Sequence, residues 1–336
     1  MANINGHKNY TSSGDPAAEN LLDHVLAEIG SALQSSGLSI YLGGSYGRGE
    51  GGVRQDVQNG ILYNDLDFFA FARQKNENAE KRLHEIAEKY ESQLKVDVDF
   101  SRVMTVRDIR NNASRLMMQE LKRGYRLVCG EDLLAEYLPE MPAEQLPFSE
   151  ACRLLLNRGM GLRFAEETIA AQSDEADFIL RNINKAILGA GDARLLAVGR
   201  YRWRIAERMA EIENSDLPAE WKQFYADAVA FKRAPHRDLP EDPLEYCHKV
   251  REFFRASVLA VAGTDTVENL RQAVWEKCVR QQEISMLNYI KYCVKTRKIH
   301  RDIRFLQIPP AATVLCKLLD KDVCRDELYH LWLKFN

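Results

Sequence analysis

The chain has 336 residues, of which 46% are hydrophobic and 28% charged, and its formal net charge is −3 at pH 7. This length suits two domains of ordinary size, because single hydrophobic cores commonly stop growing beyond roughly 250–300 residues. No stretch approaches the roughly 20 apolar residues of a membrane-spanning helix, and the slightly acidic balance provides no global attraction to a polyanion. We therefore expect that this protein has no membrane partner and does not coat long nucleic acid.

The N-terminal residues lack the basic, apolar and small-residue regions of a secretory signal. The seven cysteines include no Cys-x-x-Cys pair, and no histidine lies beside a cysteine at the spacing of zinc ligands. This pattern predicts free thiols in a reducing compartment and therefore a cytoplasmic protein.

The first third of the chain alternates predicted helices and strands. Apolar residues recur at helical spacing from Leu21 to Leu33, and a β-prone stretch at 38–42 then runs into a glycine turn. A second strand is predicted at 63–72, an amphipathic helix at 77–91 and a third strand at 93–103. The order predicts an α/β domain with a mixed sheet.

Strand signals fade beyond Asp108, and long segments with helical periodicity take over. The predicted helical segments are 108–123, 148–171, 175–190, 192–213, 218–233, 243–262, 266–296 and 311–335. Proline and glycine punctuation around 138–142 marks the expected linker. The predicted fold class is α+β, with an α/β domain over 1–140 and an all-α domain over 141–336.

Three short motifs follow one another along the predicted strands. They are the turn Gly43-Gly44-Ser45 after the first strand, the pair Asp65 and Asp67 on the second, and the pair Asp97 and Asp99 on the third. Side chains alternate between faces along a strand, so the two members of each pair point the same way, with α-carbons roughly 6.5–7 Å apart. Like charges held this close are costly unless cations neutralise them. The pattern predicts divalent metal bound by Asp65, Asp67 and a third carboxylate.

A phosphate site is expected beside this metal site. Mg²⁺, or Mn²⁺ in its place, prefers hard oxygen ligands and shares its shell with substrate phosphates. Glycines at 43 and 44 allow the backbone to approach phosphates, successive amides can form an anion nest, and Ser45 offers a hydroxyl. Arg48 is positioned to add a charge-assisted contact with a triphosphate.

Residues 38–103 resemble the DNA polymerase β nucleotidyltransferase superfamily, whose pattern is a Gly-Ser turn, an Asp-x-Asp strand and a third carboxylate on a later strand. The turn is also similar to that of bacterial uridylyl- and adenylyltransferases that modify regulatory proteins. The likeness covers about a fifth of the chain. It implies that Gly44 and Ser45 hold nucleotide phosphates and that Asp65 and Asp67 bind the metals. The third carboxylate, Asp99 or alternatively Asp97, would complete one metal site and help deprotonate the acceptor hydroxyl.

The sequence departs from the family pattern in one respect. Ser45 and Asp65 lie 20 positions apart, wider than the dozen or so usual in the family, so residues 51–62 are expected to form an inserted hairpin or loop. Members of the superfamily often use a basic residue of the helical domain to hold the triphosphate. Lys185, on a predicted helical stripe with Asn182 and Gly189, is the first candidate for that role and Arg158 the second.

Other conspicuous residues have ordinary structural interpretations. The aromatic run Phe68, Phe69 and Phe71 is expected to be core, and Glu50 an exposed surface glutamate. The segment Lys277 to Arg304 is rich in lysine and arginine. We interpret it as a solvated basic helix face, with a surface for an acidic acceptor or a nucleic acid end as the alternative.

The predicted function is transfer of a nucleoside monophosphate from a nucleoside triphosphate to a hydroxyl acceptor, with release of pyrophosphate, by a two-metal mechanism. The acceptor is expected to be a small molecule or a protein, as in relatives such as the aminoglycoside nucleotidyltransferases. Two alternatives stay open. One is an RNA 3′-end nucleotidyltransferase, and the other is a regulatory protein that binds nucleotides without turnover.

Overall fold

A computed structural model describes residues 9–54, 61–74, 79–320 and 322–335. The chain divides into two compact units. The first holds the described residues of Met1–Met141 together with Ala230–His236, and the second holds those of Pro142–Val229 and Arg237–Asn336. A small mixed sheet lies near the N-terminus and helices follow it, so the fold class is α+β.

The first unit contains five strands and six helices within the described residues. The strands are β1 (Ser39–Leu42), β2 (Leu66–Ala72), β3 (Val98–Phe100), β4 (Met104–Thr105) and β5 (Arg126–Cys129). The helices are α1 (Pro16–Leu33), α2 (Gly44–Gly47), α3 (Ala79–Leu94), α4 (Val106–Asn111), α5 (Leu116–Arg123) and α6 (Leu133–Tyr137).

The sheet has the order β3-β2-β1-β5, with β4 on the same edge of β2 as β3. β1 pairs antiparallel with β2 and β5, whereas β3 and β4 run parallel to β2. The sequence prediction is wrong about β5, because it placed no strand after Asp108. It also began the second strand too early, since β2 starts at Leu66, and it made the third strand too long.

The strands separate two apolar clusters because their side chains alternate between the faces of the sheet. On one face Leu66, Phe68 and Val98 are buried with residues of α1 and α3. On the other, Phe71 is buried in a cluster that includes residues of α4, α5 and α6. Phe68 and Phe71 are 1% and 0% exposed, which confirms the prediction that they belong to the core.

The second unit is helical. Its helices are α7 (Phe148–Ala170), α8 (Ala176–Ala197), α9 (Ile205–Glu213), the first part of α10 (Ala219–Arg233), α11 (Pro243–Ala262), α12 (Leu270–Arg280), α13 (Met286–Thr296), α14 (Ile303–Leu306), α15 (Pro310–Leu318) and α16 (Arg325–Phe335). A 3₁₀ turn at Ala143–Gln145 precedes them.

The chain of this unit is divided into helices differently from the prediction at three places. The segments 266–296 and 311–335, predicted as single helices, are each two helices. The predicted break near residue 191 does not occur, because Gly191 lies inside α8 and packs against the ring of Tyr225. The chain turns instead near Gly199, which has a φ of +68°, a backbone conformation that glycine adopts without strain.

No helix among the described residues combines the length and the apolar character needed to cross a bilayer. All seven cysteines are free thiols, as their spacing predicts.

Candidate functional site

The predicted phosphate turn follows β1 directly and forms the four-residue helix α2. The amide of Gly43 donates a hydrogen bond to the carbonyl of Asp67, 2.8 Å away, so the start of the turn is fixed to the neighbouring strand β2. The turn is closed by the amide of Glu50, which donates to the carbonyl of Ser45 at 2.9 Å. The first of these bonds therefore holds the turn beside the first aspartate pair, and the second fixes the shape of the turn.

Gly44 is in direct contact with the carboxylate of Asp67. Its φ is +57°, and a Cβ added to it would lie 1.9 Å from Asp67 Oδ2. Any side chain at this position would displace the carboxylate, and the left-handed backbone adds a further penalty for an L-residue. Because Gly44 has no side chain, the carboxylate oxygen of Asp67 can pack directly against the backbone of the turn.

Tyr46 connects the turn to the segment that precedes Asp65. The side chain is fully buried, and its hydroxyl donates to the carbonyl of Gly52 at 2.9 Å. The same oxygen accepts from the amides of Tyr63 and Asn64 at 3.0 and 3.2 Å. Burial raises the pKa of Tyr46 to about 12, so the hydroxyl stays protonated at neutral pH. The sequence reasoning did not identify Tyr46 as a positioning residue, because its partners lie far along the chain.

Replacing Tyr46 with phenylalanine should destabilise the protein by about 2–4 kcal/mol, because one buried carbonyl and two amides would each lose a partner. Urea denaturation measures this change. Tyr90→Phe is the matched control, since the Tyr90 hydroxyl donates to Glu28, whose side chain is 44% exposed and can turn to water. We expect less than about 1 kcal/mol for the control. Equal losses in the two variants would contradict the positioning role.

The aspartate pairs lie at the start of two adjacent parallel strands. Asp67 of β2 is directly opposite Asp99 of β3 in the register. Asp65 and Asp97 each lie one residue before their strands rather than within them, and the amide of Leu66 donates to the carbonyl of Asp97 at 2.9 Å. Because Leu66 and Val98 point into the core on one face, Asp67 and Asp99 project from the other.

The charge environment of Asp99 reflects this arrangement. Partial desolvation raises the pKa of the Asp99 carboxyl above the ordinary value, and the negative charges of Asp65, Asp97 and Glu91 raise it further. Among the neighbouring charges, Asp65 makes the largest contribution. The carboxylates of two different strands are thus close enough to repel one another, which is the electrostatic situation that a bound cation relieves.

The chemistry of these aspartate side chains suits a hard divalent cation. Carboxylate oxygens are the ligands that Mg²⁺ and Mn²⁺ prefer, and Asp65, Asp67 and Asp99 supply them from adjoining segments of β2 and β3. Within the described ranges, however, no three histidine, cysteine, aspartate or glutamate side chains are already gathered as a complete ligand set.

Glu50 is not the exposed surface residue that the sequence suggested, since its side chain is only 12% exposed. Its carboxylate lies 3.4 Å from Arg48 Nε and 3.3 Å from Lys232 Nζ. Arg48 also lies 3.8 Å from Glu120. The charged group of Arg48 therefore contacts the carboxylates of Glu50 and Glu120. Its contact with a triphosphate stays a prediction.

The segment 230–236, predicted as part of the helical domain, packs within the first unit. Phe231 meets the ring of Tyr63 edge-on, with centroids 5.9 Å apart, and His236 packs against Phe231 at 5.3 Å. The carbonyl of Lys232 lies close to Gly52. This segment thus supports both flanks of the polar insertion between the turn and Asp65. No local sequence signal marks it, because its contacts are about 170 residues away in the chain.

The predicted insertion at 51–62 is described only at its two ends. Val53 and Leu62 form an antiparallel bridge, and the amide of Arg54 donates to the carbonyl of Ile61 at 2.9 Å. These bonds bring the two ends of the insertion together as in a hairpin. Residues 55–60 lie outside the described residues.

In the second unit, the two basic residues predicted to hold the triphosphate lie on adjacent helices, Lys185 on α8 and Arg158 on α7. A Cβ added to Gly189 would lie 2.4 Å from Arg158 Cγ, so the stem of Arg158 packs against α8 at Gly189. The amide group of Asn182 donates to the carbonyl of Phe178 at 2.9 Å. The assignment of Lys185 and Arg158 to a triphosphate stays a prediction.

The basic segment Lys277 to Arg304 does not lie along a single helix, because α12, α13 and α14 divide it. Lys277 is half-buried, and its amine donates to the carbonyl of Val261. The guanidinium of Arg304 lies over the ring of Trp275, 5.0 Å from its centroid. Lys277 and Arg304 are thus engaged in contacts within the protein, so the segment does not form one continuous basic face.

Comparison with known proteins identifies no relative, since no family model, no curated protein and no solved structure matches the chain.

Proposed function

We propose that this protein is a metal-dependent nucleotidyltransferase that moves a nucleoside monophosphate from a nucleoside triphosphate to a hydroxyl group. The observation that carries the proposal is the contact between Gly44 and Asp67, with Asp99 opposite Asp67 in the register. One place in the first unit thus combines a glycine-serine turn, an Asp-x-Asp segment and a carboxylate on the adjoining parallel strand. This is the pattern of the polymerase β nucleotidyltransferases, which residues 38–103 resemble in sequence.

In this proposal Asp65, Asp67 and Asp99 hold Mg²⁺ or Mn²⁺. The bound cation neutralises these carboxylates and withdraws charge from the phosphates. The choice of Asp99 over Asp97 follows from the register, because Asp99 is paired with Asp67 whereas Asp97 precedes the strand.

The residues of the turn bind the phosphates. The Ser45 hydroxyl and the backbone amides of the turn donate to phosphate oxygens, and Gly44 leaves room for the approach. Tyr46 keeps the turn and the Asp65 segment in fixed relation through its three hydrogen bonds. Fixed donors and fixed carboxylates supply much of the catalysis in phosphoryl chemistry, because they need no reorganisation as charge develops.

The reaction balances without an oxidant or a further reactant. The acceptor oxygen forms a bond to the α-phosphorus, the bond from that phosphorus to the α–β bridging oxygen breaks, and pyrophosphate leaves with the bond electrons. The hydroxyl proton passes to an oxygen of Asp99, the carboxylate opposite Asp67.

Differential scanning fluorimetry tests the binding step. We expect at least one nucleoside triphosphate, at about 100 times its Kd, to raise the unfolding temperature by about 5 °C when Mg²⁺ or Mn²⁺ is present. Without a divalent cation the shift should be absent, because the carboxylates would then repel the phosphates. No shift with any of the common triphosphates and either cation would contradict the proposal.

A labelling experiment separates this function from its alternatives. The protein is incubated with α-labelled triphosphates, Mg²⁺ and either a metabolite extract, a protein extract or RNA. Label on a small molecule or on a protein, with equal release of pyrophosphate, is the expected result. Stepwise elongation of RNA would indicate a 3′-end transferase instead, and saturable triphosphate binding with no pyrophosphate release would indicate a nucleotide sensor.

A further inference from the structure

Helix α13 of the second unit presents an apolar face to solvent. Its exposed large apolar side chains, which we call the α13 stripe, are Met286, Leu287, Ile290 and Val294. At 3.6 residues per turn, these four positions fall within an arc of about 100° around the helix axis. The opposite side of the helix faces the interior, where Tyr292 is buried and stacks on the ring of Phe335 with centroids 5.0 Å apart.

The α13 stripe is a contiguous patch rather than a set of scattered side chains. Leu287 is 73% and Val294 70% exposed, and they lie two turns apart on the same face. Two isoleucines, Ile284 and Ile299, extend the apolar surface beyond the two ends of the helix, and Ile299 is 91% exposed. Single apolar residues on a surface need no explanation, whereas a patch of neighbours marks an interaction site.

The charged residues of this helix and of its C-terminal end are all basic. Residues 284–300 contain no aspartate or glutamate, and their lysines and arginine are Lys291, Lys295, Arg297 and Lys298. The amine of Lys295 donates to the carbonyl of Lys334, which does not neutralise its charge. Within the part of the chain that the structure describes, Arg297 and Lys298 form no ion pair.

The carboxylates in the segments beside α13 have partners of their own within the second unit. They are Glu283, Asp302 and Glu327, which accept from a backbone amide, pair with an arginine and pair with a lysine, respectively. The positive charge beside the α13 stripe and at its C-terminal end is therefore available to an acidic partner.

We propose that the α13 stripe binds an amphipathic helix of a partner protein, and that this helix has acidic residues beside its own apolar stripe. The two apolar stripes pack against each other, as helices do when residues three and four apart form matching ridges and grooves. The carboxylates of the partner pair with Lys295, Arg297 and Lys298. The surface lies within the second unit and does not depend on the proposed transfer reaction.

The same observations disfavour three other occupants. A second copy of the chain in a two-fold contact would place this basic surface against itself, where like charges repel. Helices at a bilayer surface commonly use tryptophan or phenylalanine on their apolar face, and residues 284–300 contain neither. A nucleic acid would pair with the cations but would leave the α13 stripe uncovered.

Fluorescence anisotropy with synthetic helical peptides tests the proposal. The probe is a labelled peptide of about 20 residues with leucine at positions i, i+3, i+4 and i+7 and glutamate beside this stripe. One control peptide has lysine in place of glutamate, and the other has the composition of the probe with its leucines dispersed around the helix. We expect saturable binding of the probe with a Kd of about 10–100 µM, because one helix pair is smaller than a standard interface.

Both control peptides should bind at least about tenfold more weakly than the acidic probe, since one lacks the charge and the other the stripe. No saturable binding of the probe up to about 1 mM would overturn the proposal. Equal binding of the probe and of either control peptide would overturn it as well.

Leu287→Gln with Val294→Gln assigns the binding to the α13 stripe. Both side chains are exposed, so the unfolding temperature should stay unchanged, whereas the affinity for the acidic probe should fall at least about tenfold. The control is Val198→Gln with Leu244→Gln, which replaces exposed apolar residues at the end of α8 and on α11. Unchanged affinity in the first variant, or an equal loss in both, would overturn the assignment.

Lys295→Glu with Lys298→Glu tests the charge complementarity. We expect this variant to reverse the preference, so that it binds the lysine peptide more tightly than the acidic probe. A preference for the acidic probe as strong as that of the wild type would contradict the roles of these cations.

Centrifugation experiments test the other occupants. We expect that the protein does not sediment with vesicles that contain phosphatidylserine, and that it stays monomeric up to about 100 µM in sedimentation equilibrium. Vesicle binding or a dimer that is lost in the Leu287→Gln, Val294→Gln variant would assign the α13 stripe to that occupant and would overturn the proposal.

Discussion

Pyrophosphate release should fall by at least about 1000-fold when Asp65 and Asp67 are both replaced by asparagine, because the loss of two metal ligands removes several kcal/mol of transition-state stabilisation. The substitution keeps the size of each side chain, so the packing of position 67 against Gly44 is preserved. The folded state should be no less stable than the wild type, since mutual repulsion among the carboxylates is reduced. A coupled pyrophosphate assay and thermal unfolding measure the two effects.

The matched control for this experiment is Asp97→Asn. Asp97 contributes to the negative charge near Asp99 but lies one residue before β3, out of register with Asp67. We expect this variant to keep activity within about tenfold of the wild type, whereas Asp99→Asn should lose at least about 100-fold. Activity close to wild type in the double variant would refute the roles assigned to Asp65 and Asp67. A larger loss in Asp97→Asn than in Asp99→Asn would instead move the third carboxylate to position 97.

Gly44→Ala should reduce pyrophosphate release by at least about 100-fold, because the added Cβ would occupy the space of Asp67 Oδ2. The reaction depends on the position of that oxygen, and a displacement of about 1 Å is enough for a loss of this size. The positive φ of Gly44 adds about 1–2 kcal/mol of backbone strain to the folded variant. Activity and unfolding free energy are measured on the same preparation.

Gly37→Ala provides the control for backbone strain. Gly37 has a φ of +71° and nothing within 4 Å of the position of an added Cβ. The two variants thus share the left-handed backbone, and only Gly44→Ala meets a carboxylate. We expect similar losses of stability but full activity in Gly37→Ala. If both variants lose activity equally, the effect comes from destabilisation and not from the contact with Asp67.

The parts of the site that the sequence predicted are those with local signals. The first helix, β1 and the glycine turn follow one another within about 30 residues, each with its own periodicity or turn chemistry. The aspartate pairs could be predicted because residues two apart on a strand point to the same face of the sheet. The register between Asp67 and Asp99 required the structure, since nothing in either segment specifies which residues pair across two strands.

The features that the sequence did not reveal depend on contacts between distant residues. β5 has four residues and begins with an arginine, so it shows no clear alternation, and its strand character comes from pairing with β1 about 85 positions earlier. Glu50 is only partly exposed because Arg48 and Lys232 pair with its carboxylate, and Lys232 comes from the distant helix α10. The same holds for Tyr46, whose hydroxyl partners include residues 17 and 18 positions away.

The central claim is that Asp65, Asp67 and Asp99 bind divalent cations beside the turn at Gly44, and manganese electron paramagnetic resonance tests it most directly. The wild-type protein and the Asp65→Asn, Asp67→Asn variant are titrated with Mn²⁺ in the presence of a non-hydrolysable nucleoside triphosphate. We predict that the wild type binds about two Mn²⁺ per chain and that the variant binds them at least about tenfold more weakly. Equal Mn²⁺ affinity in the two proteins, or no protein-bound Mn²⁺ in the wild type, would contradict the claim.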